Sequence, residues 1–398
     1  MKSADHGATL HRLYEAPSPM GYTGGAAPRI QVRERDTSLN VTIGVEPTFD
    51  FLSAEYRTLF SPGRGTAFQA PLWLDHLHRR LGPALVARQH TITVRDALSR
   101  DLIAVLPMVV QRSRGVTIIQ PADFGICDYN SIVGDPLRLI QLSANGEVKA
   151  ALRRTMAGAD IVMFRKARID EFDPALLLGT QSSTGENVSH ICEIGLDPDV
   201  WRLNILRRKF TKELGRLQRQ TEREHGSYEH RIATDAVEIA EAFDYLREAQ
   251  CALRTNTFLG KDSYFSFYRD YAIESAASGE SRTYVSRIAG KIVAVLFGLA
   301  GDGIFHAMLI GSDRDEFERI SPGIQLIYRI GLMQMAEGHD RLDLGPGNPG
   351  YKDHFRPTLL EMRNHTLSLT PAGAAVSLIY HRIKPLKNLL RGLATDVR

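Results

Sequence analysis

The chain has 398 residues, 43% of them hydrophobic and 24% charged, with a formal net charge of +3. These proportions are those of a globular protein and exclude a disordered, collagen-like or coiled-coil chain. The three cysteines are far apart and form no Cys-x-x-Cys pair, which argues against a disulfide framework or a cysteine-rich zinc site, so no metal site is predicted. No apolar run reaches the roughly 18 residues of a membrane span. No signal peptide is visible, and we expect a cytoplasmic protein.

The first 200 residues divide into a tail and a mixed α/β segment. Residues 1–40 are rich in Gly, Ala, Pro, Ser and Arg without apolar periodicity, which predicts a flexible tail. Residues 41–200 alternate between helical and strand periodicity. The spacing predicts helices at 49–59, 71–81 and 142–156, and strands at 84–94, 102–111, 116–120 and 161–164.

Residues 201–370 form a second predicted unit, which begins with a long helix at 201–224. An apolar stripe marks one side of this helix, and the other sides carry eight basic and three acidic residues. The stripe consists of Leu203, Leu206, Phe210, Leu214 and Leu217. Two interpretations of the basic face stay open. It attracts a negatively charged acceptor or tRNA, or it is only the solvated side of an amphipathic helix.

The remainder of the second unit has the clearest alternation of elements. The sequence predicts a helix at 236–254, an aromatic segment at 264–271, strands at 282–288, 291–299 and 303–310, a helix at 321–338 and a strand at 341–344. Residues 371–398 are predicted to form a basic amphipathic helix. This last helix either packs on its own domain or contacts an anionic membrane surface.

The start of the predicted helix at 321 is the first candidate for a binding site. Ser321 suits the N-cap and Pro322 the first helical position, while Gly323 keeps the first turn free of a side chain. Exposed amides at a helix start bind phosphate well, and Arg319 and Arg314 add positive charge. The segment is therefore either a pyrophosphate cradle for a nucleotide-like cofactor or an ordinary capped helix.

Several pieces, in this order, resemble the GNAT acyltransferases of the BcsL/CelD type, which are associated with cellulose biosynthesis. The resemblance covers roughly residues 45–390. The pieces are Ala70-Pro-Leu-Trp73, Ile103-Ala-Val-Leu-Pro107, Leu206-Arg-Arg-Lys-Phe210, Ile292-Val-Ala-Val-Leu-Phe297, Ser321-Pro-Gly323, Leu342-Asp-Leu-Gly345 and Tyr351-Lys352.

This resemblance implies an α/β (α+β) fold of two tandem GNAT-like domains, each a mixed central sheet flanked by helices. The domains would span 41–200 and 201–370, and the second would bind acetyl-CoA or another acyl-CoA. The implied enzyme is an N-acyltransferase that transfers an acyl group from a CoA thioester to an amine of a small molecule or saccharide. Acetyl is the acyl group expected. Its implied context is polysaccharide biosynthesis.

One departure from the GNAT pattern concerns the phosphate loop, which usually reads Arg/Gln-x-x-Gly-x-Gly/Ala. With Gly323 in the last position, Ser321 replaces the first glycine and Glu318 replaces the Arg or Gln. This relaxed form suits the BcsL/CelD branch and the related FemAB-type aminoacyltransferases. Since the latter take aminoacyl groups from tRNA, the donor stays open between acyl-CoA and aminoacyl-tRNA.

The resemblance also implies which residues contact the donor. In the GNAT fold the strand at 303–310 separates from the one at 341–344 and leaves main-chain amides free. Leu309, Ile310 and Gly311 would then contact pantetheine and the oxyanion, beside a phosphate site formed by Arg319 and the helix start from Ser321 to Ile324. Tyr351 would protonate the leaving thiolate, unless it is a packing residue. Lys352 would contact phosphate or acceptor, unless it is only a surface charge.

The general base has two candidates among the strand residues. His306 has a suitable ordinary pKa for taking a proton from the amine, although a strand histidine is also a common core residue. Asp343 would orient or deprotonate the amine, or make a structural hydrogen bond. A water relay without a dedicated base is a third possibility.

Two other functions remain as alternatives. The first is a FemAB-like aminoacyltransferase that binds charged tRNA through Arg207, Arg208 and Arg216. The second is a non-catalytic relative that keeps the GNAT fold as a regulator of polysaccharide synthesis.

Overall fold

The computed structural model describes residues 40–383 apart from 62, 185–187, 254–256 and 348–349. The predicted tail at 1–40 lies outside the described residues except for its last position, and the predicted helix at 371–398 is described only as far as residue 383.

The same order of elements occurs twice along the chain: a strand, helices, antiparallel strands, helix, a strand parallel to an earlier one, and two closing strands. In the first half the elements are β1 Val41–Glu46, α1 Ala54–Leu59, α2 Pro71–His76, α3 Gly82–Ala84, β2 Ala87–Gln89, β3 Thr91–Asp96, β4 Leu102–Leu106, β5 Met108–Ser113, β6 Val116–Pro121, β7 Val133–Gly134, α4 Pro136–Ala144, α5 Gly146–Thr155, β8 Ile161–Arg168, α6 Pro174–Leu178, β9 Gln181–Thr184 and β10 Ser189–Glu193.

The second half follows after a short linking helix. Its elements are α7 Pro198–Val200, α8 Arg208–His225, β11 Tyr228–Ala233, α9 Ala236–Leu253, α10 Asp262–Ser275, β12 Ser281–Ile288, β13 Lys291–Gly301, β14 Ile304–Ser312, α11 Pro322–Ala336, β15 Arg341–Pro346, β16 Thr358–Leu360, β17 Met362–Ser368 and α12 Pro371–Leu378. Short 3₁₀ turns at Glu318–Ile320 and Gly350–Phe355 precede α11 and follow β15.

Several sequence predictions about single elements are wrong. The predicted strand at 84–94 is two strands, β2 and β3, which lie in different sheets, and the predicted helix at 142–156 is the end of α4 followed by α5. The predicted strand at 102–111 is two strands, because Pro107 has no N–H to donate and the chain passes there from one sheet to another. The predicted helix at 201–224 breaks near its start: a short helical turn at Trp201–Ile205 ends at Leu206, which is extended with ψ 157°, and α8 begins only at Arg208. As a result Leu203 of the predicted apolar stripe is 63% exposed.

The strands form three sheets. The largest has the order β11-β12-β13-β14-β15-β10-β16, the second β2-β5-β6-β8-β17-β9, and the smallest β1-β3-β4-β7. Each of the two larger sheets contains one parallel pair, β14 with β15 and β6 with β8, among antiparallel neighbours. The fold class predicted from the sequence, a mixed α/β fold with mixed sheets flanked by helices, is confirmed.

The two halves exchange one strand each. β10 belongs to the first half by chain order but lies between β15 and β16, while β17 of the second half lies between β8 and β9. Each exchanged strand is antiparallel to both of its neighbours. The domain limits at residues 201 and 370 stay a prediction. β10 lies shortly before residue 201 and β17 shortly before residue 370, and each belongs to the sheet of the other half.

Aromatic side chains of both halves form one continuous core. Trp73 of α2 contacts Phe267 and Tyr271 of α10, with ring centroids 5.1 and 4.8 Å away. Tyr271 in turn contacts Phe297 of β13, and all four rings are fully buried. Buried aromatic area on this scale is a large source of stability, so the halves are held together by core packing as well as by strand exchange.

Candidate active site

β14 and β15 separate soon after they begin. They pair in parallel from Ile304 with Arg341 to His306 with Asp343, and the ladder ends there. On its other side β14 pairs with β13 through a shift in register, which leaves Met308 as an extra residue between the pairs. Such a bulge bends a strand, and this one lies where β14 leaves β15. The edge of β14 beyond residue 306 is therefore unpaired.

A cavity of about 580 Å³ follows this unpaired edge to the start of α11. Its lining includes most of the predicted donor residues, namely Ile310, Gly311, Ser321, Pro322, Gly323, Ile324 and Tyr351. Three predicted residues do not line it: Leu309 is buried in the core between the halves, Arg319 is exposed beside the cavity, and Lys352 is buried next to β15. The volume is typical of a site for a small molecule.

The main chain of Ile310 faces this cavity. Nε2 of Gln250, on α9, donates to Ile310 O over 3.3 Å, while the N–H of Asp313 donates to Val293 O on β13 over 2.8 Å. Successive strand residues direct their amides to opposite sides. The N–H of Ile310 therefore faces the opening, whereas that of Gly311 faces β13.

The start of α11 has an unusual backbone. Ser321 is the N-cap in a left-handed conformation, with φ 50° and ψ 61°, and its hydroxyl does not cap the helix as the sequence predicts. Its carbonyl accepts the N–H groups of Ile324 and Gln325, and Pro322 has no N–H. The N–H of Gly323 makes no hydrogen bond within the described residues. A Cβ at Gly323 would lie 3.2 Å from Ser312 Oγ, so glycine lets the helix start approach β14.

Charges of both signs surround the mouth of the cavity. Arg314 and Arg319 are exposed, and neither forms an ion pair with the described part of the chain. The carboxylate of Asp313 accepts the N–H groups of Asp315 and Phe317, both at 3.0 Å, and so shapes the loop. Glu318 is exposed and lines the cavity. One free helix amide and these charges fit a pantetheine chain better than they fit a diphosphate.

The basic helix α8 passes beside this mouth. Near its start Phe210 stacks on His354, at 4.9 Å, and at its end His225 contacts Phe317, at 5.2 Å. Its exposed basic residues Arg208, Lys209 and Lys212 line a shallow depression together with Arg216, which is paired with Glu213. This basic cluster therefore lies toward the His354 end of α8, and the opposite end of the helix contacts the loop that precedes α11.

Asp343 is the centre of a buried hydrogen-bond network. Its Oδ2 accepts from the Tyr129 hydroxyl at 2.6 Å and lies 2.8 Å from His306 Nδ1. Its Oδ1 accepts from Ser189 Oγ at 2.9 Å and from the N–H of Gly345 at 2.8 Å. Burial acts to raise the pKa of Asp343, but the His306, Tyr129 and Gly345 donors hold that pKa below its ordinary value. An anion with four donors orients its neighbours and is a poor proton acceptor.

His306 is held with one ring nitrogen free. The ring is 2% exposed and lies 5.4 and 5.8 Å from the rings of Phe68 and Tyr129. With the Nδ1 proton assigned toward Asp343, Nε2 is the acceptor nitrogen and has no hydrogen-bond partner among the described residues. The structure thus brings the two predicted candidates together, with Asp343 as the partner that orients His306.

Asp128 lies over the point where the strands separate. Its Oδ2 is 3.3 Å from the place that a Cβ on Gly345 would take, and Ala307 O is 3.5 Å from the same place. The side chain is half-buried, and no described residue donates a hydrogen bond to it. Burial raises the pKa of Asp128 to about 7, the charge of Asp343 adds to the rise, and Lys166 and Lys352 oppose it. A carboxyl group that titrates near neutral pH is suited to accept a proton.

Three residues of this network and its surroundings, Asp128, Tyr129 and Ser189, are not among the candidates that the sequence indicates. The first two stand in a polar run in the loop after β6, and polar loop residues after a strand are a general sign of a site. Ser189 is on the exchanged strand β10. The sequence does not indicate that either segment reaches β15, because the contacts join residues as many as 214 positions apart.

The two predicted residues after β15 have different surroundings. Tyr351 lines the cavity half-buried, burial raises its pKa, and its hydroxyl makes no hydrogen bond to the described residues. Lys352 is only 5% exposed, so its interpretation as a surface charge is wrong. It does not line the cavity, and its Nζ donates to the carbonyls of Gly345 and Pro346 at 2.9 and 3.1 Å. Burial lowers the pKa of Lys352.

Residues 208–353, which contain the unpaired strand edge, the cavity and the start of α11, match the family model of the acetyltransferase (GNAT) domain. This part of the chain is therefore similar to GNAT acetyltransferase domains. No curated protein matches the sequence.

Solved structures resemble most of the chain in fold. FemX has a TM-score of 0.56 at 12% identity, over 80% of this chain and 96% of that one. L-PGS from Bacillus licheniformis has a TM-score of 0.52 at 14% identity, over 85% and 97%. A conserved protein of unknown function from Bacteroides thetaiotaomicron has a TM-score of 0.52 at 14% identity, over 82% and 100%. Identities this low show a common fold.

The described residues contain no group of three or more His, Cys, Asp or Glu side chains placed to bind a metal ion. Among their helices, none combines the length and apolar character needed to cross a bilayer.

Proposed function

We propose that this protein is an acyl-CoA-dependent N-acyltransferase, with the thioester bound along the unpaired edge of β14 and the amine entering beside Asp128. The cavity from the start of α11 to Tyr351 is the observation that supports the donor site. The acyl group would be acetyl, and the acceptor an amine of a small molecule or saccharide. The resemblance to the BcsL/CelD type favours an amino sugar of polysaccharide biosynthesis.

In this proposal Asp128 receives the proton that the ammonium group must lose. A free ammonium has a pKa of about 10, so it is protonated at neutral pH and cannot attack a thioester. The neutral nitrogen then forms the C–N bond, and the N–H of Ile310 stabilises the oxyanion by about 3 kcal/mol. As the C–S bond breaks, the Tyr351 hydroxyl protonates the sulfur. The proton that the nitrogen loses on forming the amide returns to Tyr351 through solvent.

His306 is the second candidate for the base. Its Nε2 has no partner in the described part of the chain, and Asp343 orients the ring in the way that a carboxylate orients a catalytic histidine. Its exposure of 2% is the argument against direct contact with an acceptor. Asp128, which is half-buried, is therefore the preferred base.

The donor site can be tested without knowing the acceptor. Gly323→Val would place a side chain against Ser312 and narrow the cavity. Gly146→Val, at the start of α5, is the matched control because a Cβ there meets nothing within 4 Å. We expect calorimetry to show CoA and acetyl-CoA binding to the wild type and the control, and binding at least about tenfold weaker, or about 1.4 kcal/mol, for Gly323→Val. Equal binding by both variants would contradict a donor at this place.

The second candidate is an aminoacyltransferase that uses charged tRNA. The weak diphosphate site at Ser321 and the unpaired basic residues of α8 are the observations that favour it. Of the three arginines predicted to bind tRNA, Arg216 is already paired with Glu213. Salt-sensitive tRNA binding that a Lys212→Glu variant loses, together with no binding of CoA, would replace the first proposal by the second. If neither CoA nor charged tRNA binds, the function that remains is that of a non-catalytic regulator.

A further inference from the structure

The first half repeats the strand separation of the second. β6 and β8 pair in parallel only at Ile118 with Ile161 and Ile119 with Val162, as β14 and β15 do over three pairs. In the second half the strands then enclose a cavity. In the first half the loop at 122–132, which follows β6, crosses the corresponding space.

Asn130 joins this loop to the edge of β8. Its N–H donates to Lys166 O at 3.1 Å, and its Nδ2 donates to Arg165 O at 2.8 Å. The same Nδ2 is 3.2 Å from Asp123 Oδ2, at the beginning of the loop. Main-chain groups of β8 beside the point where β6 and β8 separate are therefore bonded to the protein's own loop.

Asp123 closes the loop from the other side. It is 1% exposed, lies 3.5 Å from Arg165 and 3.4 Å from Lys166, and accepts the N–H of Gly125 at 3.0 Å. Lys166 Nζ also donates to Cys127 O. Lys166 is left-handed, with φ 58°, a conformation that is costly without glycine and persists where surrounding contacts enforce it.

The last part of the loop contacts β15 of the second half. Asp128 lies over Gly345 of β15, and Tyr129 donates to Asp343 of the same strand. Asn130, Asp123 and Lys166 join the loop to β8, and Gln69 and Trp73 of the first half contact Tyr129 O and Cys127 Sγ.

We infer that the first half has no donor slot of its own, and that the loop filling the equivalent space holds Asp128 and Tyr129 at the strand separation of the second half. Asn130 and Asp123 are then positioning residues for Asp128, and each chain binds one donor. The inference rests on the proposed role of Asp128.

The test follows the carboxyl group of Asp128 directly. The full chain is labelled with ¹³C at the aspartate carboxyl carbons, and the Asp128 signal is assigned by its loss in Asp128→Asn. In Asn130→Ala we expect the titration midpoint of Asp128 to fall by about one unit or more toward that of a solvated carboxyl. Asn145→Ala is the matched control, because Asn145 caps α5 with its side chain and makes no contact with this loop.

An Asp128 midpoint that Asn130→Ala leaves at the wild-type value would overturn the inference. If Asn130→Ala does not fold, Asp123→Asn, which keeps the side-chain shape, is measured with the same expectation. Calorimetry with CoA gives the second criterion: one molecule per chain agrees with the inference and two would end it. If CoA does not bind at all, the proposed donor fails, and the titration alone decides the role of the loop.

Discussion

Tyr129 donates its hydroxyl proton to the buried carboxylate of Asp343 over 2.6 Å, although 214 positions separate the two residues in the chain. The contact joins a loop of the first half to the central parallel strand pair of the second. It makes the candidate site a property of both halves.

Tyr129→Phe should therefore destabilise the protein more than the loss of an ordinary hydroxyl. A hydrogen bond to a charged group contributes about 1.5–3 kcal/mol, and one to a neutral group about 0.5–1.5 kcal/mol. The control is Tyr56→Phe, since the buried Tyr56 hydroxyl donates to the neutral Gln69 carbonyl at 2.7 Å. Urea denaturation of both variants measures the difference. Equal losses would mean that Tyr129 does not face an ionised Asp343.

Asp128→Asn should lower kcat/KM by about 10²–10⁴-fold if Asp128 accepts the amine proton. Because the base acts in its ionised form, wild-type activity should rise through pH 7 and level off above it, and this rise should be absent in the variant. The measurement is a pH profile of acetyl transfer to a panel of amino sugars and small amines. Loss of the rise in His306→Gln, with its retention in Asp128→Asn, would assign the base to His306.

Asp128 should also make stability depend on pH. Its pKa is raised to about 7 in the folded protein from the ordinary 3.8, so between these values the folded state holds a proton that the unfolded state has released. Stability must then fall as the pH rises from about 4 to about 7. The wild type should lose stability over this interval relative to Asp128→Asn, as measured by urea midpoints at each pH. Parallel curves would show that the carboxyl titrates normally.

Gly298→Ala should disturb the bulge that separates β14 from β15. A Cβ at Gly298 would lie 2.2 Å from His306 O and 2.5 Å from the Phe305 ring, so the strands must move apart, at a cost of about 3 kcal/mol. Gly44→Ala on β1 is the control, because a Cβ there meets nothing within 4 Å. Thermal unfolding of the two variants checks this. A Gly298→Ala protein as stable as the control would indicate that β14 can shift freely.

The local parts of the fold and site follow from the sequence for physical reasons. The strand at 304–312, the loop and the helix from Pro322 carry their own periodicity and breakers, and the resemblance to GNAT enzymes assigns them to the donor. The sequence indicates both His306 and Asp343 as candidates for the general base, and the two side chains lie side by side. His306 is indicated by its place on a predicted strand, and Asp343 by the segment Leu342-Asp-Leu-Gly345.

The rest depends on contacts between distant segments. β17 carries polar residues such as Asn364 and His365 yet is largely buried, because it enters the sheet of the other half. Its pattern does not resemble a core strand, and neither β10 nor β17 was predicted. The pKa of Asp128 is raised through burial, beside Gly345, and through the charge of Asp343, and neither cause is visible in the sequence. Likewise, the break at Leu206 in the predicted basic helix has no proline or glycine to signal it.

The strand exchange has a consequence for how substrates reach the site. Only Glu361 separates β16 of one large sheet from β17 of the other, and the buried contacts of Trp73 with Phe267 and Tyr271 join the two halves. A hinge motion between the halves would have to bend the chain at this one-residue connection and open that buried core. We therefore expect the entrance to the cavity to be preformed, with adjustment confined to side chains and surface loops.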